Sequence, residues 1–243
     1  KGELLLTPAG GLYVEAARKV IQIQKDLYHN IRGLNHKGHI TIGVTSQFGL
    51  RMLTEIIPAY KKVFPQVTIE ITESNVPTLT RMILEEGIDC AVMALNCADA
   101  FAEEQVSLLR KEEVLFAVPA AHGYCLRNRT GIMTREELIH EFKDENFMLS
   151  KKGSTLRELA DRIFASAGFQ PSTMCETNSI IATRAMVAKG IGVTFIARSC
   201  VSDRENVAYY SLNPRMYRYN ALVRRKNLIQ NEPERALFQH IRG

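Results

Sequence analysis

The sequence predicts an α/β protein made of two similar units with a cleft between them, preceded by one long helix. Three observations carry that expectation. From His39 to Ile196, strand-like and helix-like segments alternate in two successive rounds, the pattern of a parallel α/β sheet. The segment before His39 carries a heptad pattern instead. The 243 residues, 46% hydrophobic and 23% charged, have ordinary globular composition and the length for one large domain or two small ones, which excludes disordered and fibrous classes.

The chain opens with KGELLLTPAG, without an initiator Met, and reads as the cut edge of a longer protein. Thr7-Pro8 marks a helix start, with Thr7 as cap and Pro8 at the first helical position, where a missing N–H costs nothing. Within the following helix Ala16, Val20, Ile23, Leu27, Asn30 and Leu34 recur at alternating spacings of 4 and 3, an a/d seam with one polar member. Such a seam is a dimerisation signature. The alternative, a helix packed on its own domain, usually shows a wider apolar face. Asn35-His36-Lys37-Gly38 ends this helix.

Beyond it, Ile40, Ile42 and Val44 alternate with polar or small residues as a strand does. A helix is expected over about Leu50 to Phe64, then a strand in QVTIEITE, a helix from about Pro77 to Glu86 and an apolar strand from Ile88 to Ala94. An extended stretch from Val106 to Pro119 leads through an irregular loop into the second round: helix Thr134 to Glu141, strand Asn146 to Ser150, helix Ser154 to Ala167, strand Thr173 to Glu176, helix Ser179 to Lys189 and strand Ile191 to Ile196. Two tail strands, Val207 to Leu212 and Tyr219 to Arg225, and a helix from Glu232 to His240 complete the chain.

No apolar run approaches the ~18 residues that a spanning helix needs, so no membrane partner is expected. Five cysteines, odd in number and without a CxxC, argue against a disulfide framework and for a reducing cytoplasm. The net charge of +5 permits nucleic-acid contact without demanding it, and residues 1–37 hold +3 of it.

Several spaced segments, in order, carry a resemblance: LTPAG into a long helix, then GHITIGVTSQFGLRMLTEIIPAYKKVFPQVTIEITE, EEGIDCAVMAL and MVAKGIGVTFI. Together they resemble a LysR-type transcriptional regulator over nearly the whole chain. The resemblance implies two Rossmann-like subdomains of periplasmic-binding-protein type, joined by crossover strands, with a small effector in the cleft. It implies residues 1–7 as the remnant of a DNA-binding wing, 8–37 as linker and dimerisation helix, 38–117 with 212–243 as subdomain I, and 118–211 as subdomain II. DNA would be bound through a winged helix-turn-helix N-terminal to Lys1, and the protein would be a homodimer or tetramer. No cofactor or metal is implied.

Ligands of open α/β sheets sit beyond the carboxyl ends of strands, where helix N-termini favour anions. Three such ends are rich in hydroxyls and amides: Thr45-Ser46-Gln47, the loop holding Ser150, Ser154 and Thr155, and Thr177-Asn178. Each is equally the residue type of a plain N-cap. The resemblance favours Thr45, Ser46 and Thr177, and adds Ser74, Asn75 and Asn96. Phe195 offers either an apolar wall or core packing. Two departures from the family pattern matter: Ala197 replaces a frequent Pro, and no Arg stands at Met93 to Leu95, which weakens an aromatic-acid effector but not carboxylates or other anions in general. Lys151 and Lys152 are either ligand contacts or a solvated loop.

Enzyme readings find no support. Gly190-Ile191-Gly192 lacks the third glycine of a dinucleotide fingerprint, and no GxxxxGK loop occurs. His36 and His39 are separated by the helix-breaking Gly38 and have no acidic or Cys partner beside them. The remaining alternative is a stand-alone solute-binding protein of the same fold, which would have no use for a dimerising stalk.

Overall fold

A computed structural model describes residues 6–33, 38–97, 100–226, 228 and 230–243. Helix α1 (Pro8–Gly33) starts as the Thr7-Pro8 pair predicts: Thr7 Oγ1 accepts the Gly10 N–H at 3.1 Å. Leu34 and residues 1–5 lie outside the described residues, as does the turn expected after the helix, up to Lys37.

The first unit contains β1 (Gly38–Val44), α2 (Gln47–Val63), β2 (Val67–Glu73), α3 (Val76–Leu84) and β3 (Cys90–Leu95). β1 lies between β2 and β3, all parallel, with Gly38 to Val44 in register against Val67 to Glu73. β3 is buried at every position because helices cover both of its faces. Cys90 and Val92 join the core under α2 and α8, while Ala91, Met93 and Leu95 join the one under α3.

Two long antiparallel strands, β4 (Val106–Pro119) and β9 (Val207–Arg224), then tie the halves together. The first half of β4 pairs with the last half of β9, which also borders β3, and the last half of β4 pairs with the start of β9 and with β8. The second unit adds α4 (Gly123–Arg127), β5 (Ile132–Thr134), α5 (Arg135–Phe142), β6 (Asn146–Leu149), α6 (Thr155–Ala167), β7 (Ser172–Glu176), α7 (Ile180–Ala188) and β8 (Thr194–Ala197). β6 and β7 are parallel, and a bridge between Phe147 and Val193 joins them to the strand leading into β8. Side chains of β4 again divide by face: Val114, Phe116 and Val118 enter the core beneath α5 and α6, Leu115 and Ala117 the one beneath α7.

Helix α8 (Glu232–Arg242) returns to the first unit, where Leu237, Phe238 and Ile241 are buried against α2 and the Tyr60 hydroxyl donates to the Pro233 carbonyl at 3.2 Å. Full burial of each such side chain is worth about 1.5–3 kcal/mol.

Three expectations need correction. The tail does not form two strands: Val207 to Arg224 is one strand, because its partner β4 spans both units and holds it throughout. The irregular loop after Pro119 contains a short helix and β5, a strand that finds its edge only when β9 is in place. The antiparallel crossover pair also makes the sheet mixed rather than purely parallel.

Candidate functional site

A cleft of about 450 Å³ lies where the carboxyl ends of β1, β2 and β3 face the loops after β6 and β7. That is room for a small metabolite. One wall comes from the first unit. Thr45 is fastened to the end of β3, its N–H donating to the Val92 carbonyl at 3.2 Å and its Oγ1 accepting the Ala94 N–H at 2.7 Å. Ser46 follows as the N-cap of α2 in extended conformation, but its side chain makes no capping bond. Its Oγ is buried without a hydrogen-bond partner among the described residues. The first intrahelical bond is Leu50 N–H to Ser46 O, so the N–H groups of Gln47, Phe48 and Gly49 have no acceptor within the helix.

Gly49 makes this arrangement possible. A Cβ there would stand 2.8 Å from Val44 Cγ1 and 3.0 Å from Val92 Cγ1, so only glycine lets the helix start this close to the strand ends. Glu73, Ser74 and Asn75 line the cleft beside it, Asn75 capping α3 by accepting the Thr78 N–H at 2.9 Å.

The second unit supplies Ser150, Lys151, Ser154, Thr155 and Asn178 to the opposite wall. Asn178 Oδ1 accepts the Lys151 N–H at 3.0 Å, which joins the two loops, and Ser154 Oγ caps α6 on Arg157 N–H at 3.2 Å. Gly153 adopts a left-handed φ of +82°, and Pro77 Cγ of the first unit lies 3.3 Å from where its Cβ would stand. Asn96 sits at the edge of the cleft rather than on its lining: Nδ2 donates to Glu158 Oε2 at 2.7 Å and to the Thr155 carbonyl at 3.4 Å, bridging the units. Its Oδ1 is buried and unpaired among the described residues.

Thr177 and Phe195 are placed elsewhere. Thr177 Oγ1 accepts the Ser179 N–H at 3.1 Å, a turn-forming contact outside the lining. Phe195 is buried in the second unit's core, with ring centroids 5.2 Å from Phe116 and 6.0 Å from Phe164. The other candidates, Thr45, Ser46, Gln47, Ser74, Asn75, Ser150, Ser154, Thr155 and Asn178, converge on one space.

Two floor residues are absent from the sequence reading: Arg218 on β9 and Cys200 in the turn after β8. Arg218 is buried and pairs with Glu112 of β4, the Nη2–Oε2 distance being 2.9 Å. Burial pushes the Glu112 carboxyl up, but the Arg218 charge and hydrogen bonds from Ser199 and Asn220 outweigh it and hold its pKa below the ordinary glutamate value. Burial also raises the Cys200 thiol, which keeps it protonated and a poor nucleophile. The signal available in sequence was the pair Arg218 and Asn220, two apart on a strand and so on one face.

Chemically, the cleft offers helix N-termini, hydroxyls, Lys151 and a buried guanidinium against the single acid Glu73 on its lining. That balance favours anions. Among the described residues, no group of three or more His, Cys, Asp or Glu is placed to hold a metal ion, and no helix is long and apolar enough to cross a membrane.

A family model described as LysR substrate binding domain matches residues 35–243. A probable RuBisCO transcriptional regulator of Trieres chinensis is 24% identical over 202 residues, covering 81% of this chain and 64% of its own length. The Synechocystis PCC6803 CcmR regulatory domain in complex with 2-PG superposes with a TM-score of 0.70 at 13% identity, over 85% of this chain and 96% of that one. The effector binding domain of QuiR in complex with shikimate gives 0.65 at 20% identity, over 84% and 95%. At these identities the two structures speak for the fold.

Proposed function

The chain belongs to the LysR substrate binding domain family, and on that premise we propose that it is the sensing part of a LysR-type transcriptional regulator whose effector is a small anion held in the cleft. Residues 38–117 with 212–243 and residues 118–211 are the two effector-binding subdomains, α1 is the linker, and DNA binding belongs to a winged helix-turn-helix N-terminal to Lys1. The protein works in the cytoplasm and performs no chemistry on its ligand. An effector acts only through its differential affinity for two arrangements of the subdomains.

The observation that carries the reading is Ser46. A buried hydroxyl without a partner among the described residues, on a residue that lines the cleft at the uncapped start of a 17-residue helix, is a costly arrangement for structure alone and a suitable one for binding an oxyanion. Shikimate and 2-PG, found with structural neighbours, make rational first probes alongside sulfate.

A thermal-shift series tests it. An anion at 100 times its dissociation constant adds about 2.7 kcal/mol of stability, and Ser46→Ala weakens that anion by roughly 3- to 10-fold, the worth of one hydrogen bond. Stabilisation undiminished in Ser46→Ala, or no stabilisation by any anion in a panel of carboxylates, phosphates and sulfate, would overturn the assignment.

A further inference from the structure

We propose that Arg218 selects an anionic ligand in this cleft, and that its pairing with Glu112 couples the ligand's charge to the two strands joining the units. The inference rests on the cleft being the ligand site.

Arg218 is 5% exposed, yet borders the cleft. Its Nε donates to Glu112 Oε2 at 3.0 Å, Nη2 stands in ion-pair contact with the same oxygen at 2.9 Å, and Nη1 makes no hydrogen bond among the described residues. Asn220 Nδ2 donates to the same oxygen at 2.9 Å, and the other carboxylate oxygen accepts the Ser199 N–H at 2.9 Å. Glu112 therefore has both oxygens occupied and holds one edge of a rigid guanidinium, leaving the other edge for a ligand. A planar donor fixed this way loses little rotamer freedom on binding, unlike the exposed Lys151.

The register explains how the knot forms. Glu112 and Arg218 are directly opposed on β4 and β9, Asn220 lies two residues along on the same face, and Ser199 comes from the second unit's turn. One carboxylate thus gathers both crossover strands and a turn of the second unit. A ligand oxyanion at Nη1 competes with Glu112 for the same positive charge, so occupancy of the cleft acts directly on this junction.

Opposite signs follow for the two partners. Calorimetric titration of the full chain uses shikimate, 2-PG and sulfate, with methyl shikimate as the uncharged counterpart of shikimate. For whichever anions bind, Arg218→Gln weakens them by about 10- to 100-fold, the worth of a hydrogen bond to a charged group, and leaves the ester within about 3-fold, as expected when a site loses charge recognition alone. Glu112→Gln keeps the hydrogen-bonding shape, removes the competing charge and tightens the anions by about 3- to 10-fold. Because Arg218→Gln leaves Glu112 buried without its cation, the Glu112→Gln/Arg218→Gln double variant serves as the charge-balanced control and shows the same weakening.

Anion affinity unchanged in both Arg218 variants overturns this inference and leaves the cleft reading standing. Weakening in Glu112→Gln equal to that in Arg218→Gln reduces the pair to a structural strut and overturns the coupling. Failure of every anion to bind the wild-type chain removes the ligand-site reading and this inference with it.

Discussion

Glu112 and Glu113 are neighbours on a strand, so their side chains leave it on opposite faces, and each meets arginine there. Glu113 is buried beside Arg198, whose Nε donates at 3.0 Å, and Arg215, whose Nε stands 3.7 Å away. Burial raises its pKa, but the hydrogen bond from Arg198 and the arginine charges hold it below the ordinary glutamate value. A carboxyl depressed in the folded state contributes stability that is fully present above the unfolded pKa, near 4.3, and is lost as pH falls through the folded value. The melting temperature is therefore expected to drop on acidification below about pH 4.3, more steeply in the wild type than in Glu113→Gln. Parallel melting-against-pH curves for the two would show that Glu113 does not titrate on unfolding. Much of the cleft lining was legible because strand ends in such sheets carry cap residues that sequence displays. Arg218 was not, because its partner is 106 positions away and the two meet only through strand register. Thr177, a cap-type residue that the resemblance also favours, serves its own turn, since local sequence does not say which side of a loop faces the cleft.

Gly190-Ile191-Gly192, a failed nucleotide fingerprint in sequence, has two separate structural reasons. Gly190 ends α7 with a left-handed φ of +75°, whereas Gly192 is required by close approach: a Cβ there would lie 2.2 Å from the Asn146 carbonyl oxygen. That carbonyl accepts the Val193 N–H at 2.8 Å, and the Met148 N–H donates back to Val193 at 2.9 Å, the junction that joins the β6–β7 pair to the main sheet. Gly192→Ala forces these backbones apart and is expected to cost about 2–3 kcal/mol, a melting shift of roughly 4–12 °C for a chain of this size. An unchanged melting temperature would mean the junction yields freely. Helices and the parallel strands were readable because each element's own periodicity records the faces it buries. β9 was not, since Asn213-Pro214 interrupts it and proline within a strand ordinarily argues against one. Here Pro214 falls between Val114 and Leu115 of the partner, where the register shifts from Met216 to Ser211, so no rung of that ladder needs its missing N–H.

For the molecule as a whole, α1 stands apart in its exposure. Its 26 residues extend roughly 39 Å at 1.5 Å per residue, while Val20, Ile23 and Leu27 remain 63%, 68% and 57% exposed. Tyr13, at 76%, continues the same spacing toward the N-terminus through Ala16. An apolar stripe of that length is not left in water by a well-behaved protein. The 4-and-3 spacing is the one that lets two helices interlock along a narrow seam, so the occupant argued for is α1 of a second copy. The chain should therefore scatter light as twice 27.4 kDa at tens of micromolar, and Val20→Asp/Ile23→Asp/Leu27→Asp should return it to 27.4 kDa with its circular dichroism otherwise retained. A wild-type monomer would leave the stripe without its proposed partner. A triple variant that still dimerises would move the interface onto the α/β body, and coupling between ligand and assembly would then have to pass through that body instead of along the helix.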